Sequence, residues 1–227
     1  MEPKDNPFRH GARYLGNDVT RFRIWAPLAK TVQLVITHPK QQIEPMQPVA
    51  AGYWERVINY APPGTRYLFR VDNGHPRPDP ASRFQPEGVH NASEVIDATF
   101  QWEAEAWFGL PIERCVLYEL HVGAFTPEGT FDAIIPHLDY LRDLGVTFVE
   151  LMPVAQFPGS RNWGYDGVYP FAVQNSYGGP LGLKRLVNEC HKRGLGVVLD
   201  VVYNHLGPEG NYCSNFHTKY PAKGTPI

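Results

Sequence analysis

The sequence predicts a multidomain protein: an immunoglobulin-like β-sandwich followed by the first three βα units of a (β/α)8 TIM barrel, with the barrel incomplete. Three observations support this fold class. Short β-like runs separated by Pro and Gly turns fill residues 20–72, a pattern typical of an all-β domain. After residue 113, apolar strands alternate with amphipathic helices, as in a parallel sheet covered by helices. The 227 residues suffice for two cores, and we expect domains at residues 1–105 and 106–227.

The sandwich is predicted from four apolar runs bounded by turns. In the second run, Val32, Leu34 and Ile36 occupy alternate positions, which indicates a strand with one buried face and one face mostly in solvent. The turn sequence APPG at residues 61–64 would break any helix. The predicted strands span residues 21–25, 31–37, 53–58 and 66–71.

A proline-rich segment follows these strands. Residues 73–89 contain turn-forming residues almost throughout, including Pro78 and Pro80. Because proline lacks an N–H and has a fixed φ, this segment can be neither a helix nor a central strand. We therefore expect the connection between the domains to lie between it and residue 113.

Three apolar runs and two amphipathic helices make up the βα units. The first helix is expected to end at Gly145, with Pro136 near its first turn, where a missing N–H costs little. The second helix is expected to end at Gly194. The predicted strands span residues 116–120, 147–152 and 196–202, and the apolar helix positions are Phe131, Ile134, Ile135, Leu138 and Leu141, then Leu183, Leu186, Val187 and Cys190.

The loops distinguish a barrel from an open nucleotide-binding sheet. The first strand is followed by HVGAFTPEGT and not by a glycine-rich phosphate turn. The second strand is followed by a long aromatic loop at residues 153–180, and such loops at the carboxyl ends of strands build the sites of barrel enzymes. A closed barrel needs about 250 residues, and fewer than half of that number follow the sandwich, so the predicted barrel is incomplete.

Composition excludes several classes of partner. Lys and Arg number 21 against 23 Asp and Glu, for a net charge of -2, so there is no overall positive field to hold nucleic acid. The longest apolar runs fall short of the ~20 residues that span a membrane. Cys115, Cys190 and Cys213 form no CxxC pair, and we expect free thiols in a reducing cytoplasm, with no metal and no cofactor. The 13% of aromatic residues weakly suggests a partner made of sugar rings.

Three acidic residues interrupt the predicted parallel strands: Glu119, Glu150 and Asp200. A carboxylate among buried β-branched residues must be bonded or paired, or its pKa must be strongly perturbed. Two of the three could form a glycosidase pair, which requires a separation of about 5–5.5 Å for retention. Alternatively, they bond to arginines or to backbone N–H groups near the strand ends.

The most specific motif is DVVYNH at the end of the third predicted strand. Strand alternation places Asp200 and Asn204 on the same side, and the following turn delivers His205 to the rim of the sheet. An imidazole at that rim can donate a hydrogen bond to a neutral hydroxyl group.

These residues resemble the α-amylase family, glycoside hydrolase family 13. DVVYNH is similar to the family's first signature region, and the resemblance extends over residues 78–90, 150–180 and 199–212. It implies that the sandwich corresponds to the family's carbohydrate-binding-module-like domain and that the substrate is an α-1,4-glucan. The loop QFPGSRNWGYDGV is more similar to hydrolases that release trehalose from maltooligosyl trehalose than to branching or isoamylase-type debranching enzymes, which remain the alternatives.

The resemblance also implies roles for individual residues. Tyr165, together with Trp163 in the same loop, would stack on a sugar, and His205 would donate to the hydroxymethyl group of that sugar. Asp200 would orient catalytic groups without attacking, and Asn204 matches a position that supports calcium in some relatives, although no metal is expected here. The alternatives are ordinary packing for the two aromatic residues and a structural role for Asp200.

The same resemblance predicts that this chain contains no catalytic residue. In the family the nucleophilic Asp follows strand four and the acid/base Glu follows strand five, and retention requires both. We therefore expect the chain alone to be inactive. An alternative hypothesis, from a different class of function, is that the protein binds glycans without catalysis. In that case the sandwich would bind the glycan through Trp25, Tyr53 and Trp54.

Overall fold

The computed structural model describes residues 10–104 and 107–217. These residues pack as two units, the first containing residues 10–98 and 211–217 and the second the residues between them. The predicted domain boundary stays a prediction, because residues 105 and 106 on either side of it lie outside the described part of the chain.

The first unit is a sandwich of two four-stranded antiparallel sheets. Its strands are β1 (Gly11–Gly16), β2 (Val19–Trp25), β3 (Val32–His38), β4 (Gln42–Pro45), β5 (Gln47–Pro48), β6 (Tyr53–Ile58), β7 (Arg66–Val71) and β8 (Ser93–Glu94). The strand orders are β1-β2-β6-β5 and β4-β3-β7-β8. The four predicted strands are confirmed, and they are β2, β3, β6 and β7, the two central strands of each sheet.

Side chains from both sheets form the core of the sandwich. Phe22 of β2, Leu34 of β3 and Phe69 of β7 are all fully buried in one cluster. The alternation predicted for β3 is confirmed on this face, but Val35 on the opposite face is buried as well. The second face of β3 is therefore partly covered and not mostly in solvent as predicted.

The proline-rich segment belongs to the sandwich and is held by polar contacts. As predicted, residues 73–89 form neither helix nor central strand. The buried carboxylate of Asp79 accepts hydrogen bonds from the Tyr67 hydroxyl at 2.6 Å and from the Ala81 N–H at 2.8 Å. Arg83 donates to the backbone carbonyl of Ala12 at 3.0 Å. The segment is thus an ordered part of the first unit.

The second unit contains a three-stranded parallel sheet, as predicted. Its elements are β9 (Leu117–Leu120), α1 (Val122–Phe125), α2 (Phe131–Ile134), α3 (Leu138–Asp143), β10 (Phe148–Leu151), β11 (Ala155–Gln156), β12 (Tyr169–Val173), α4 (Gly179–Lys192) and β13 (Gly196–Leu199). The strand order is β13-β10-β9, with both pairs parallel. Each strand is shorter than predicted. Among the described residues this sheet is open.

The first predicted helix is divided at Pro136. It begins at Phe131, where the Thr130 hydroxyl accepts from the Ala133 N–H at 3.3 Å. The prediction that Pro136 lies near the first turn is wrong, since Pro136 lies in a 3₁₀ turn (Ile135–His137) between α2 and α3. Proline has no N–H for a bond four residues back, and the helix tightens there. The predicted stop at Gly145 is confirmed by its left-handed φ of 99°.

Helix α4 agrees with the second predicted helix. Leu186 and Cys190 are buried against the sheet, within the core cluster of this unit. Gly194 follows the helix with a left-handed φ of 73°, and its N–H donates to the His191 carbonyl at 3.0 Å. This is the C-terminal geometry that favours glycine.

The chain returns to the first unit after residue 210. Helix α5 (Ser214–His217) places Phe216 in the sandwich core. Just before it, the Tyr212 hydroxyl lies 2.7 Å from Nδ1 of His90, and the Arg77 guanidinium lies 4.3 Å from the Tyr212 ring centre. This return was not predicted from the sequence.

The three cysteines are free thiols, as expected. Burial raises the pKa of Cys190 to about 12. Within the ranges described, no helix has both the length and the apolar character needed to cross a membrane.

Candidate functional site

The candidate site lies at the carboxyl ends of the parallel strands. Leu120, Leu151 and Leu199 are paired across the sheet. The next residues, His121 and Asp200, therefore lie at the same level on the two outer strands. In βα enzymes this edge of the sheet binds the ligand.

Two carboxylates lie on the face of the sheet opposite the buried residues Val149 and Leu151. Glu119 and Glu150 are paired in register on neighbouring strands. Glu119 is exposed and Glu150 is half-buried. Neither side chain has a hydrogen bond or an ion pair with the described residues, so the bonds expected from a structural role are not formed here.

The long loop after β10 is a hairpin with two exposed aromatic side chains at its apex. Strands β11 and β12 pair at its base, and neither was predicted. Trp163 is 75% exposed and Tyr165 is 43% exposed. Large aromatic rings this open to solvent are available to stack on a ligand.

The apex conformation is fixed locally. Oδ1 of Asn162 accepts from the Gly164 N–H at 2.8 Å, and Nδ2 of Asn162 donates to Asp166 at 2.9 Å. Gly164 has a left-handed φ of 97°, and a Cβ at this position would lie 2.5 Å from the Pro153 carbonyl oxygen. Only glycine tolerates both this left-handed φ and the close approach of the Pro153 carbonyl oxygen.

His205 holds one side of the apex. Its Nε2 lies 2.9 Å from the Tyr165 carbonyl oxygen, and its Nδ1 lies 3.0 Å from Nδ2 of Asn204. Because a carbonyl oxygen only accepts, we assign the proton to Nε2, and Nδ1 then accepts from Asn204. Three of the predicted site residues, Tyr165, Asn204 and His205, are therefore connected in one chain of contacts.

His121 holds the other side of the apex, and it was not among the site residues predicted from the sequence. Its Nε2 lies 2.6 Å from the Asn162 carbonyl oxygen, and its ring is edge-on to Trp163 at 6.4 Å. Together with Ser160 and Arg161 these residues line a cavity of about 460 Å³. The available signal was the position of His121 directly after a parallel strand, equivalent to that of Asp200.

Tyr177 lies behind His121 and keeps a neutral hydroxyl there. Its oxygen is 3.4 Å from Nε2 of His121. Burial raises the pKa of Tyr177 to about 12. The hydroxyl next to the His121 imidazole therefore stays uncharged at neutral pH.

Asp200 lines a second groove, which also includes Gly164 of the apex. Asp200 is half-buried, and the groove is apolar, with a volume of about 200 Å³, and is also lined by Leu183 and Phe171. Among the described residues, no contact links its carboxylate to Tyr165 or His205. The predicted orienting role of Asp200 stays a prediction, as do the sugar contacts of Trp163, Tyr165 and His205.

No group of three or more His, Cys, Asp or Glu side chains is arranged to hold a metal ion in residues 10–104 and 107–217. The prediction that neither metal nor cofactor is used stays a prediction.

A parallel βα sheet with an aromatic loop at its carboxyl edge, attached to a β-sandwich, defines a class of multidomain βα enzymes. Comparison with known families agrees with this class. The α-amylase catalytic-domain family matches residues 82–223. Carbohydrate-binding module 48, the isoamylase N-terminal domain, matches residues 9–91. The chain belongs to the α-amylase family.

Three individual relatives from the comparison each match most of this chain. A malto-oligosyltrehalose trehalohydrolase from Saccharolobus solfataricus is 52% identical over 87% of this chain and 35% of its own length. A 1,4-α-glucan branching enzyme from Vibrio cholerae is 34% identical over 91% of this chain and 30% of its own. A crystal structure of a putative α-amylase from Salmonella typhimurium has a TM-score of 0.86, is 45% identical and covers 92% of this chain and 35% of that one. The chain thus spans about a third of the length of these relatives.

Proposed function

We propose that this chain supplies part of an enzyme that hydrolyses the α-1,4 bond of maltooligosyl trehalose and releases trehalose with retention. That part consists of the sandwich and one wall of the sugar-binding site, formed by residues 162–166 together with His121 and His205. We place it in the cytoplasm, with an α-1,4-glucan as its partner and neither nucleic acid nor membrane. The observation that carries the proposal is the apex formed by residues 162–166, held between His121 and His205 with Trp163 and Tyr165 open to solvent.

The chemistry of the wall suits a neutral sugar. Aromatic faces stack on the apolar face of a pyranose ring, and imidazole groups bond to hydroxyls. Trp163 and Tyr165 provide the rings. The imidazoles of His121 and His205 border the same site, and each bonds through Nε2 to a carbonyl of the apex, which holds the two rings in place. The higher identity to trehalohydrolases than to the branching enzyme favours trehalose release over branching.

The wall does not by itself break a bond. Retention requires a nucleophile and a proton donor on the two sides of the glycosidic oxygen, and the family places these after strands four and five of its barrel. The described parallel sheet has three strands. We therefore assign binding to these residues and no catalytic step.

The proposal is tested by incubating maltooligosyl trehalose with the purified chain and with the complete gene product, and measuring free trehalose. We expect release by the complete gene product and none by the chain alone. Formation of branched glucan without trehalose would instead indicate a branching enzyme. Turnover by the chain alone would overturn the assignment of binding without catalysis.

A second candidate, glycan binding by the sandwich, is favoured by the match to carbohydrate-binding module 48. Trp25 is partly exposed, and its indole N–H donates to the Ala51 carbonyl at 3.0 Å. Calorimetry with a linear maltodextrin separates the candidates. If the sandwich binds, Trp25→Ala weakens binding and Tyr165→Ala does not, whereas the wall proposed above predicts the reverse.

A further inference from the structure

Two fully buried glutamines join the two strands at the base of the aromatic hairpin. Gln156 and Gln174 both have 0% exposure. Oε1 of Gln156 accepts from the Asn175 N–H at 2.9 Å, and Oε1 of Gln174 accepts from the Phe157 N–H at 3.0 Å. The bonds are reciprocal, since each side chain binds the residue that follows the other glutamine.

The amide nitrogens extend the same network toward the apex. Nε2 of Gln174 donates to the Gly159 carbonyl at 2.9 Å and to the Ser176 hydroxyl at 2.9 Å. Nε2 of Gln156 donates to the Phe157 carbonyl at 3.0 Å. Gly159 lies at the point where the chain leaves the base for the apex, so Gln174 holds the chain there.

The backbone of the hairpin provides few bonds of its own. Strand β11 has only two residues, and its register with β12 shifts between Ala155 and Gln156. A two-residue strand pairing is weak, whereas a buried network in which the polar groups are bonded specifies one conformation. Hydrogen bonds made by the side chains of the glutamine pair, Gln156 and Gln174, therefore fix much of the conformation of this loop.

We propose that the glutamine pair positions Trp163 and Tyr165 for the glucan. This inference rests on the proposed function and deepens it, because it assigns two positioning residues that do not touch the sugar. Loss of the amide group leaves the Phe157 N–H and the Gly159 carbonyl without their partners. The apex then samples other conformations, and the aromatic rings lose their preset geometry.

Hydrogen exchange measured by mass spectrometry on the whole chain tests the positioning without any sugar. Gln174→Met retains the side-chain length but removes the amide. We expect exchange in residues 157–168 to accelerate at least about tenfold, since the loss of a single buried hydrogen bond already accounts for a factor of about ten and the substitution removes several, with helix α4 unchanged. The control is Gln101→Met, an exposed glutamine of the same unit. Ser176→Ala, which removes one acceptor of Gln174, gives a smaller effect in the same direction if Gln174→Met fails to fold.

Unchanged exchange in residues 157–168 would overturn the proposal. Equal acceleration in the loop and in α4 would also overturn it, because this would indicate a general loss of stability and not a local positioning role.

A double-mutant cycle on maltoheptaose affinity, measured by calorimetry, tests the link to binding. We expect Gln174→Met to weaken binding about tenfold in the wild-type chain and to have little further effect in Tyr165→Ala. Additive losses would overturn the proposal. If the wild-type chain does not bind maltoheptaose, the sugar-binding role proposed for this chain fails, while the exchange experiment still decides whether the glutamine pair holds the loop.

Discussion

The Asp79 side chain carries a titratable group into the interior of the sandwich. Burial raises the pKa of Asp79 to about 6, against the hydrogen bonds from Tyr67 and Ala81 and the nearby charge of Arg83, which all lower it. Because the native pKa lies above the ordinary value of 3.8, the folded protein binds this proton more tightly than the unfolded chain does. The stabilisation from Asp79 is therefore greatest below pH 3.8 and is lost as the pH rises through about 6.

Asp79→Asn should remove this pH dependence. Between pH 3.8 and about 6, we expect the wild-type free energy of unfolding to fall relative to that of the variant by about 3 kcal/mol. Urea unfolding of both proteins across this range measures the difference. Asp18→Asn, at an exposed carboxylate of the same unit, is the control and should follow the wild-type curve. A constant difference between wild type and Asp79→Asn at every pH would contradict the prediction.

The individual site residues were only partly predictable. Tyr165 and His205 were identified through the resemblance, and the structure brings them together. The position of His121 directly after a parallel strand marks the correct edge of the sheet, but a single histidine there does not reveal its bonding partner. The role of His121 depends on its hydrogen bond with the carbonyl oxygen of Asn162, 41 positions further along the chain. Only the folded hairpin brings these two residues together.

Among the elements of the sandwich, central strands were predictable and edge strands were not. A central strand such as β3 contacts the core with alternate residues, and this leaves a period of two in the sequence. Edge strands such as β4 and β5 are short, contain proline and are mostly exposed. Their pairing depends on the neighbouring strand and not on their own apolar pattern.

The hairpin after β10 gives an element-level prediction at Gly164. Gly164→Ala combines a left-handed φ of 97° with a Cβ only 2.5 Å from the Pro153 carbonyl oxygen. Backbone strain of this kind costs about 1–3 kcal/mol, and the close contact adds to it. We expect weaker maltoheptaose binding, measured by calorimetry, and a lower midpoint of thermal unfolding for the second unit.

Gly159→Ala is the matched control in the same loop. Its φ of 72° is also left-handed, but a Cβ there meets nothing within 4 Å. It should therefore show only the cost of the backbone conformation, about 1 kcal/mol. Equal effects of the two substitutions would show that the contact with Pro153 contributes nothing.

For the whole molecule, the division of the chain into units was the least predictable feature. Residues 211–217 follow the βα units in sequence but pack in the sandwich through Phe216. Seven residues with one phenylalanine carry no signal for such a return. It depends on contacts with residues far away in the sequence, such as the one between Tyr212 and His90.

The parallel sheet also predicts how the whole chain behaves in solution. In the described residues β9 and β13 are edge strands, and each exposes a leucine, Leu117 and Leu199. Unpaired strand edges with exposed apolar side chains promote association.

We expect sedimentation velocity to show concentration-dependent association of the wild-type chain, and we expect Leu199→Lys to reduce this association. The control Leu144→Lys replaces a leucine just after α3 that is more exposed than Leu199, and it should not reduce association. A wild-type chain that stays monomeric as its concentration is raised, or an equal effect of both substitutions, would mean that the sheet edges are not the contact.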